Sequence, residues 1–132
     1  MATFRRFEEI VAWQRAKQLA SEIHRITSRR SFSRDRALQN QIRRAAISAM
    51  SNIAEGFERD GRREFVQFLA VAKGSVGEAR SQPYLARDWG LLGEAEFETL
   101  HRLADETSRT ISGLISYLQS SSVKGRKFDR NF

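Results

Sequence analysis

Glu98-Thr99-Leu100-His101 is the one stretch of this sequence with the spacing of a metal-binding helix. A di-metal carboxylate centre in a helical bundle takes a glutamate from each of two helices and a Glu-x-x-His triplet from each of the other two. The other histidine, His24, has Ser21 three positions before it, so the second triplet is missing. Glu55 and Glu78 are the next candidates, as paired carboxylates for acid–base work if neighbouring helices bring them together. The competing reading is that such carboxylates satisfy arginine, serine or backbone groups in a bundle. Gly74-Ser75-Val76-Gly77-Glu78 lies inside a helical pattern and follows no strand, so it is not a phosphate-binding loop. No serine sits in a nucleophile-elbow motif, and the absence of cysteine removes thiolate zinc sites, disulfides and cysteine nucleophiles. No catalytic, cofactor-binding or metal-ligating residue is nominated, and a non-enzymatic protein without cofactors is expected.

Helices would have to position any such groups, and the apolar spacing gives four of them. The first is expected from about Glu8 to Arg29, where Ala12, Ala16, Leu19, Ile23 and Ile26 recur at spacings of four, three, four and three. Ser33 is the expected N-cap of the second, from about Arg34 to Phe57. That helix carries two stripes, Leu38, Ile42, Ala45, Ala49, Asn52 and Ala46, Met50, Ile53, Phe57, so most of its circumference is buried. Asp60-Gly61 marks a turn into the third helix, about 62–89, on which Phe65, Leu69, Ala72, Val76, Ala79, Pro83 and Ala86 share one face. Pro83 lacks a backbone donor, and a kink is expected there. Gly90 is the expected stop. The fourth helix, about 94–119, keeps its phase from Phe97 to Leu118 and places Glu94, Glu96 and Glu98 in its first turns, where the helix dipole favours them. Short connections make neighbours antiparallel, so the expectation is all-α: one domain, 1–120, an up-down-up-down antiparallel four-helix bundle. Residues 121–132 are read as a basic, mobile tail.

The net charge of +7 is uneven. Residues 1–44 carry eleven basic and four acidic side chains, residues 45–119 eight and eleven, and the tail from 120 four and one. Every cation except Lys17, Lys73, Lys124 and Lys127 is arginine. Guanidinium forks match phosphate geometry, so this bias suits a polyanion; a solvated basic surface is the plainer reading of any single arginine. The nucleic-acid candidates are Arg5, Arg6, Arg15, Arg25, Arg29, Arg30, Arg34, Arg36, Arg43, Lys124, Arg126, Lys127 and Arg130. Trp89, Leu91 and Leu92 are apolar residues outside the helix seams, suited to a protein partner instead. No run approaches the ~20 apolar residues of a membrane span and none suits a signal peptide, so a cytoplasmic protein with no membrane partner is expected.

The stretch QIRRAAISAMSNIAEGFER, residues 41–59, sets Asn52 and Glu55 among small and apolar residues. Glycine inside a helix costs about 1 kcal/mol relative to alanine, so Gly74 and Gly77 imply some return, most simply close helix packing. In an antiparallel hairpin Asn52 would lie opposite about 65–69, which leaves open whether Ser75 and Glu78 face this hairpin, another helix or another subunit.

These residues resemble the four-helix-bundle family of proteins encoded in intervening sequences of bacterial 23S ribosomal RNA genes, S23-like proteins. The resemblance rests on Gln41, Arg44 and Ala45; Ser48, Asn52, Ile53, Ala54, Glu55 and Gly56; Arg59; Phe65, Phe68 and Leu69; and Gly74, Ser75 and Glu78. Phe7, Val11 and Trp13 resemble the family's opening more loosely, and the polar Arg80-Ser81-Gln82 run with Pro83 departs from it. The resemblance implies a ring-shaped homopentamer in which the motif serves structure or assembly. It also implies kinship with the accessory protein of diversity-generating retroelements, a basic pentamer that partners a reverse transcriptase and nucleic acid. Two functions follow as expectations: nucleic-acid binding, RNA or DNA, through a basic surface, or a scaffold or accessory subunit for a nucleic-acid enzyme.

Overall fold

The computed structural model describes residues 4–120. The tail candidates Lys124, Arg126, Lys127 and Arg130 lie outside the described residues, as does the expected mobility of 121–132. Every regular element among the described residues is helical: a 3-10 turn Phe7–Glu9, then α1 Val11–Thr27, α2 Arg30–Ser33, α3 Arg36–Glu58, α4 Arg62–Asp88 and α5 Glu94–Ser120.

The four long helices form a bundle in which α1 packs on α3 and α5, and α4 on the same two. Cross-links fix the directions. Arg43 on α3 reaches Thr27 on α1, Ser48 on α3 meets Ser75 on α4, Arg80 on α4 faces Asp105 on α5, and Arg15 on α1 meets Glu106 on α5. Further along, Gly56 lies against Phe65 and Phe68 and Arg62 against Leu118, so rising numbers on one helix meet falling numbers on its neighbour. The core is the set of seam residues, with Leu19, Ile23, Ile42, Ile53, Leu69, Ile111 and Leu114 all fully buried. Removing such apolar surface from water drives the bundle together.

The first helix begins at Val11 rather than Glu8, because Ile10 takes an extended backbone between the 3-10 turn and α1. Phe4 still closes the end of the core, packing edge-on to Phe57 at 6.5 Å. The connection between the first two expected helices is itself helical: α2 forms at Arg30–Ser33 and drives Phe32 into the core, fully buried. Ser33 is no N-cap, because its hydroxyl donates to the Arg30 carbonyl. Asp35 caps α3 instead, accepting from the Leu38 N–H at 3.0 Å. A carboxylate there also meets the positive end of the helix dipole.

The α3–α4 turn puts its left-handed residue at Asp60, φ 65°, rather than at Gly61, a conformation Asp tolerates better than most residues. Pro83 is buried and α4 runs through it unbroken. Gly90, φ +72°, ends α4 as expected. Its N–H bonds to the Arg87 carbonyl at 3.1 Å and that of Leu91 to the Ala86 carbonyl at 2.8 Å, a Schellman closure.

Candidate nucleic-acid interface and assembly face

The small and polar residues of the α3–α4 hairpin divide into two groups. Ser48 and Ser75 share a hydrogen bond of 3.0 Å across the two helices. The Asn52 amide donates to the Ser48 hydroxyl at 3.0 Å and to its carbonyl at 2.8 Å. The result is a polar ladder at the margin of an otherwise apolar seam. Gly56 is the true close-approach residue: a Cβ there would lie 2.5 Å from the Phe68 Cβ. Gly74 and Gly77 are different. A Cβ at either would meet no described atom within 4 Å, so neither serves packing among the described residues.

Glu55 is also outside the bundle, 52% exposed and paired with Arg59 at 2.8 Å. Glu78, Gln41 and Arg44 are exposed too. With Gly56 level with Phe68 and Ser48 level with Ser75, Glu55 and Glu78 lie ten positions apart along the hairpin, about 15 Å at the helical rise. They do not form a carboxylate pair. The Arg59 guanidinium instead lies 5.2 Å from the Phe68 ring centroid, a cation–π contact. The expected embedding of Glu55 in the apolar seam is therefore corrected.

The exposed residues fall in stripes on the outer sides of the two helices. Ile47 and Val71, 52% and 55% exposed, stand on the outer side of α3 and α4 beside Ser48 and Gly74. Ile47, Ser51 and Glu55 recur at a spacing of four along α3, and Val71, Gly74 and Glu78 at three and four along α4, all of them exposed.

The arginines are scattered by the fold. Arg15 is paired with Glu106, Arg25 with Glu22 and Arg29 with Glu96. The hydrogen bond from Arg25 is the main cause holding the Glu22 carboxyl below its ordinary pKa. Arg43 is tied to the end of α1: its Nε donates to the Thr27 hydroxyl at 2.8 Å and one Nη to the Ser28 hydroxyl at 2.9 Å. Beside it, Gln39 donates to the Thr27 carbonyl at 2.7 Å. Both groups satisfy the open end of a helix.

Arg5 and Arg6 are exposed beside Phe4, near the end of α3 marked by Phe57. Arg30, Arg34 and Arg36 are exposed at its start. The 23 residues of α3 separate these ends by about 35 Å, so charge clustered in the sequence is split in space.

Arg30, Arg34 and Arg36 make no ion pair with a described residue. Trp89 stands at the same end, 56% exposed. It lines a shallow groove of about 280 Å³ with Asp35, Ala37, Leu38 and Gln41. Leu92 is buried and Leu91 packs on the core, so of those three apolar candidates only Trp89 presents a broad surface. Guanidinium groups and an exposed indole at one end of a bundle can between them hold phosphate and stack a base.

The Glu98–His101 triplet gathers no further metal ligands among the described residues. His101 packs against Phe97 and Tyr84, ring centroids 5.8 and 6.2 Å away, while Glu98 is exposed. Among the described residues no three His, Asp or Glu side chains are grouped to hold a metal ion. No helix among them is long and apolar enough to cross a membrane.

Residues 8–113 match the family described as 23S rRNA-intervening sequence protein. The chain belongs to that family. A crystal structure similar to this intervening-sequence protein is that of a protein with unknown function from the S23 ribosomal protein family of Bacteroides thetaiotaomicron. The two share a TM-score of 0.71 at 17% identity, over 79% of this chain and 97% of the other. At that identity the likeness concerns the fold alone. No curated protein matches this intervening-sequence protein.

Proposed function

We propose that this chain is a non-enzymatic, self-associating helical bundle that binds single-stranded RNA or DNA at the Trp89 end. The observation that carries the reading is that Arg30, Arg34 and Arg36, none of them ion-paired with a described residue, lie at the same end of the bundle as a Trp89 ring 56% exposed. Guanidinium groups supply affinity for the phosphate backbone, and an aromatic face supplies sequence-tolerant stacking. The fold in this reading is the up-down-up-down antiparallel four-helix bundle.

Self-association uses the hairpin face. Ile47 and Val71 with the open Gly74 form an apolar, low-relief strip on which a second copy can pack closely, and the ring-shaped homopentamer implied by the family resemblance is the assembly proposed. Five copies would turn a modest three-arginine site into an avid one. Light scattering on the wild type and on Val71→Glu checks the assembly: a discrete oligomer is expected for the first and a folded, smaller species for the second.

The binding test is anisotropy of labelled single-stranded RNA and DNA at increasing salt, with Trp89→Ala alongside. Salt-sensitive binding weakened by the substitution supports the reading. Undetectable binding at low salt opposes it.

A second reading, an accessory subunit for a nucleic-acid enzyme such as a reverse transcriptase, is favoured by Leu85, which is 45% exposed one turn before Trp89. Partner capture that survives nuclease treatment and is lost in Leu85→Glu would support it over the first.

A further inference from the structure

Between α4 and α5 runs a groove of about 420 Å³ lined by Lys73, Val76, Gly77, Arg80, Ser81, Tyr84 and Ser108. Its size is within the range of small-ligand sites, and its chemistry is one-sided. Lys73 and Arg80 lie seven positions apart on one helix face, about 10 Å along the axis. Lys73 has no ion-pair partner among the described residues.

Arg80 has only a long contact, 3.8 Å, with Asp105. That carboxylate is already engaged by the Arg109 Nε at 3.0 Å. The groove therefore keeps a net positive charge. The Ser81 and Ser108 hydroxyls make no hydrogen bond to a described residue and are available as donors. Gly77 sits between the two cations, and since a Cβ there would touch no described atom within 4 Å, its hydrogen leaves the centre of the groove open. At one end Tyr84 is braced edge-on by Phe97 at 4.9 Å yet remains 44% exposed, a wall against which a flat base can lie.

We propose that this groove binds a nucleoside monophosphate unit, its phosphate between Lys73 and Arg80 and its base against Tyr84. The unit can come from a free nucleotide or from the 5′ end of a nucleic-acid strand, which share this chemistry. The site faces α5, whereas the Trp89 groove faces α3, so the inference does not rest on the arginine end.

The test is amide chemical-shift titration of the full chain with adenosine monophosphate, inorganic phosphate and a 5′-phosphorylated single-stranded oligonucleotide. The nucleotide is expected to shift the Gly77, Ser81 and Ser108 amides saturably and to bind more tightly than inorganic phosphate. Lys73→Ala and Arg80→Ala should each weaken it about tenfold or more, as loss of a charge-assisted hydrogen bond does. Gly77→Leu should fill the groove and abolish binding while the melting temperature holds or rises. Tighter binding of the oligonucleotide than of the free nucleotide assigns the source to a strand end, and the reverse to free nucleotide. The Arg30→Ala, Arg34→Ala, Arg36→Ala triple variant should keep these shifts, which separates this site from the Trp89 end. No saturable shift with any probe, shifts unchanged in Lys73→Ala and Gly77→Leu, or equal affinity for nucleotide and inorganic phosphate would overturn the proposal.

Discussion

Ser48 on α3 and Ser75 on α4 share a 3.0 Å hydrogen bond across the hairpin, and Asn52 one turn on donates back to Ser48. Ser75 is only 7% exposed, so its hydroxyl relies on that contact. Ser75→Ala should cost about 1 kcal/mol, the net worth of a typical protein hydrogen bond, and lower the melting temperature by about 4 °C. Asn52→Leu should cost about as much. Glu55→Ala, on the exposed surface, should shift stability by about 0.5 kcal/mol or less. Thermal melts of the three variants check the order.

Glycines on the two helices should respond in opposite ways. Gly56→Ala forces a Cβ to within 2.5 Å of the Phe68 Cβ, backbone-near atoms that cannot swing aside, and overpacking of this kind costs about 1–3 kcal/mol. Gly77→Ala, away from the proposed self-association strip, adds a methyl group where no described atom lies within 4 Å and gains helix propensity, up to about 1 kcal/mol. Denaturant midpoints would show one variant below the wild type and the other above it.

Arg43 was expected on a nucleic-acid surface, yet its guanidinium closes the end of α1. Arg43→Ala should destabilise by about 1.5–3 kcal/mol, since charged donors to Thr27 and Ser28 are lost together. Arg43→Lys should not restore the wild-type melting temperature, because one ammonium cannot reproduce the two-pronged geometry. Equal melting of all three proteins would contradict the structural role.

The Glu22–Arg25 pair sets a pH signature. The Glu22 carboxyl has a folded-state pKa below its unfolded value, so its contribution to stability is present above the unfolded pKa. That contribution fades as pH falls through the lowered folded value. A carbon-detected titration should find the Glu22 midpoint below the ordinary glutamate value, and Arg25→Ala should raise it. The effect on stability is small, because the pair is solvent-screened.

The sequence made the four long helices legible because a spacing of three and four repeats without interruption along each. α4 and α5 begin at the expected residues, 62 and 94. The start of α1 was not legible, because Glu8 and Glu9 suit a first helical turn as well as a 3-10 turn. Phe32 was the available sign of α2: one large apolar residue inside a polar break still needs burial. Gly74 and Glu55 misled because small or charged residues within a helix carry no direction of their own. Gly74 falls between the seam positions Ala72 and Val76, and that phase did point it outward. The arginines could not be placed from charge counts, since a stretch clustered in sequence spans both ends of a bundle about 35 Å long. Nor could spacing alone show that Lys73 and Arg80 border a groove, which takes Ser108 from another helix to close it.

The most direct test of the nucleic-acid reading is the salt dependence of binding at the Trp89 end. Affinity for a single-stranded oligonucleotide should be measured from low to physiological salt in the wild type and in the Arg30→Ala, Arg34→Ala, Arg36→Ala variant. Each neutralised phosphate on a single strand contributes a slope of about −0.7 in log K against log salt. The predicted result is salt-weakened binding whose slope becomes shallower by about 2 in the variant, with the melting temperature preserved. Binding that ignores salt, or a variant with the wild-type slope and affinity, would contradict the assignment.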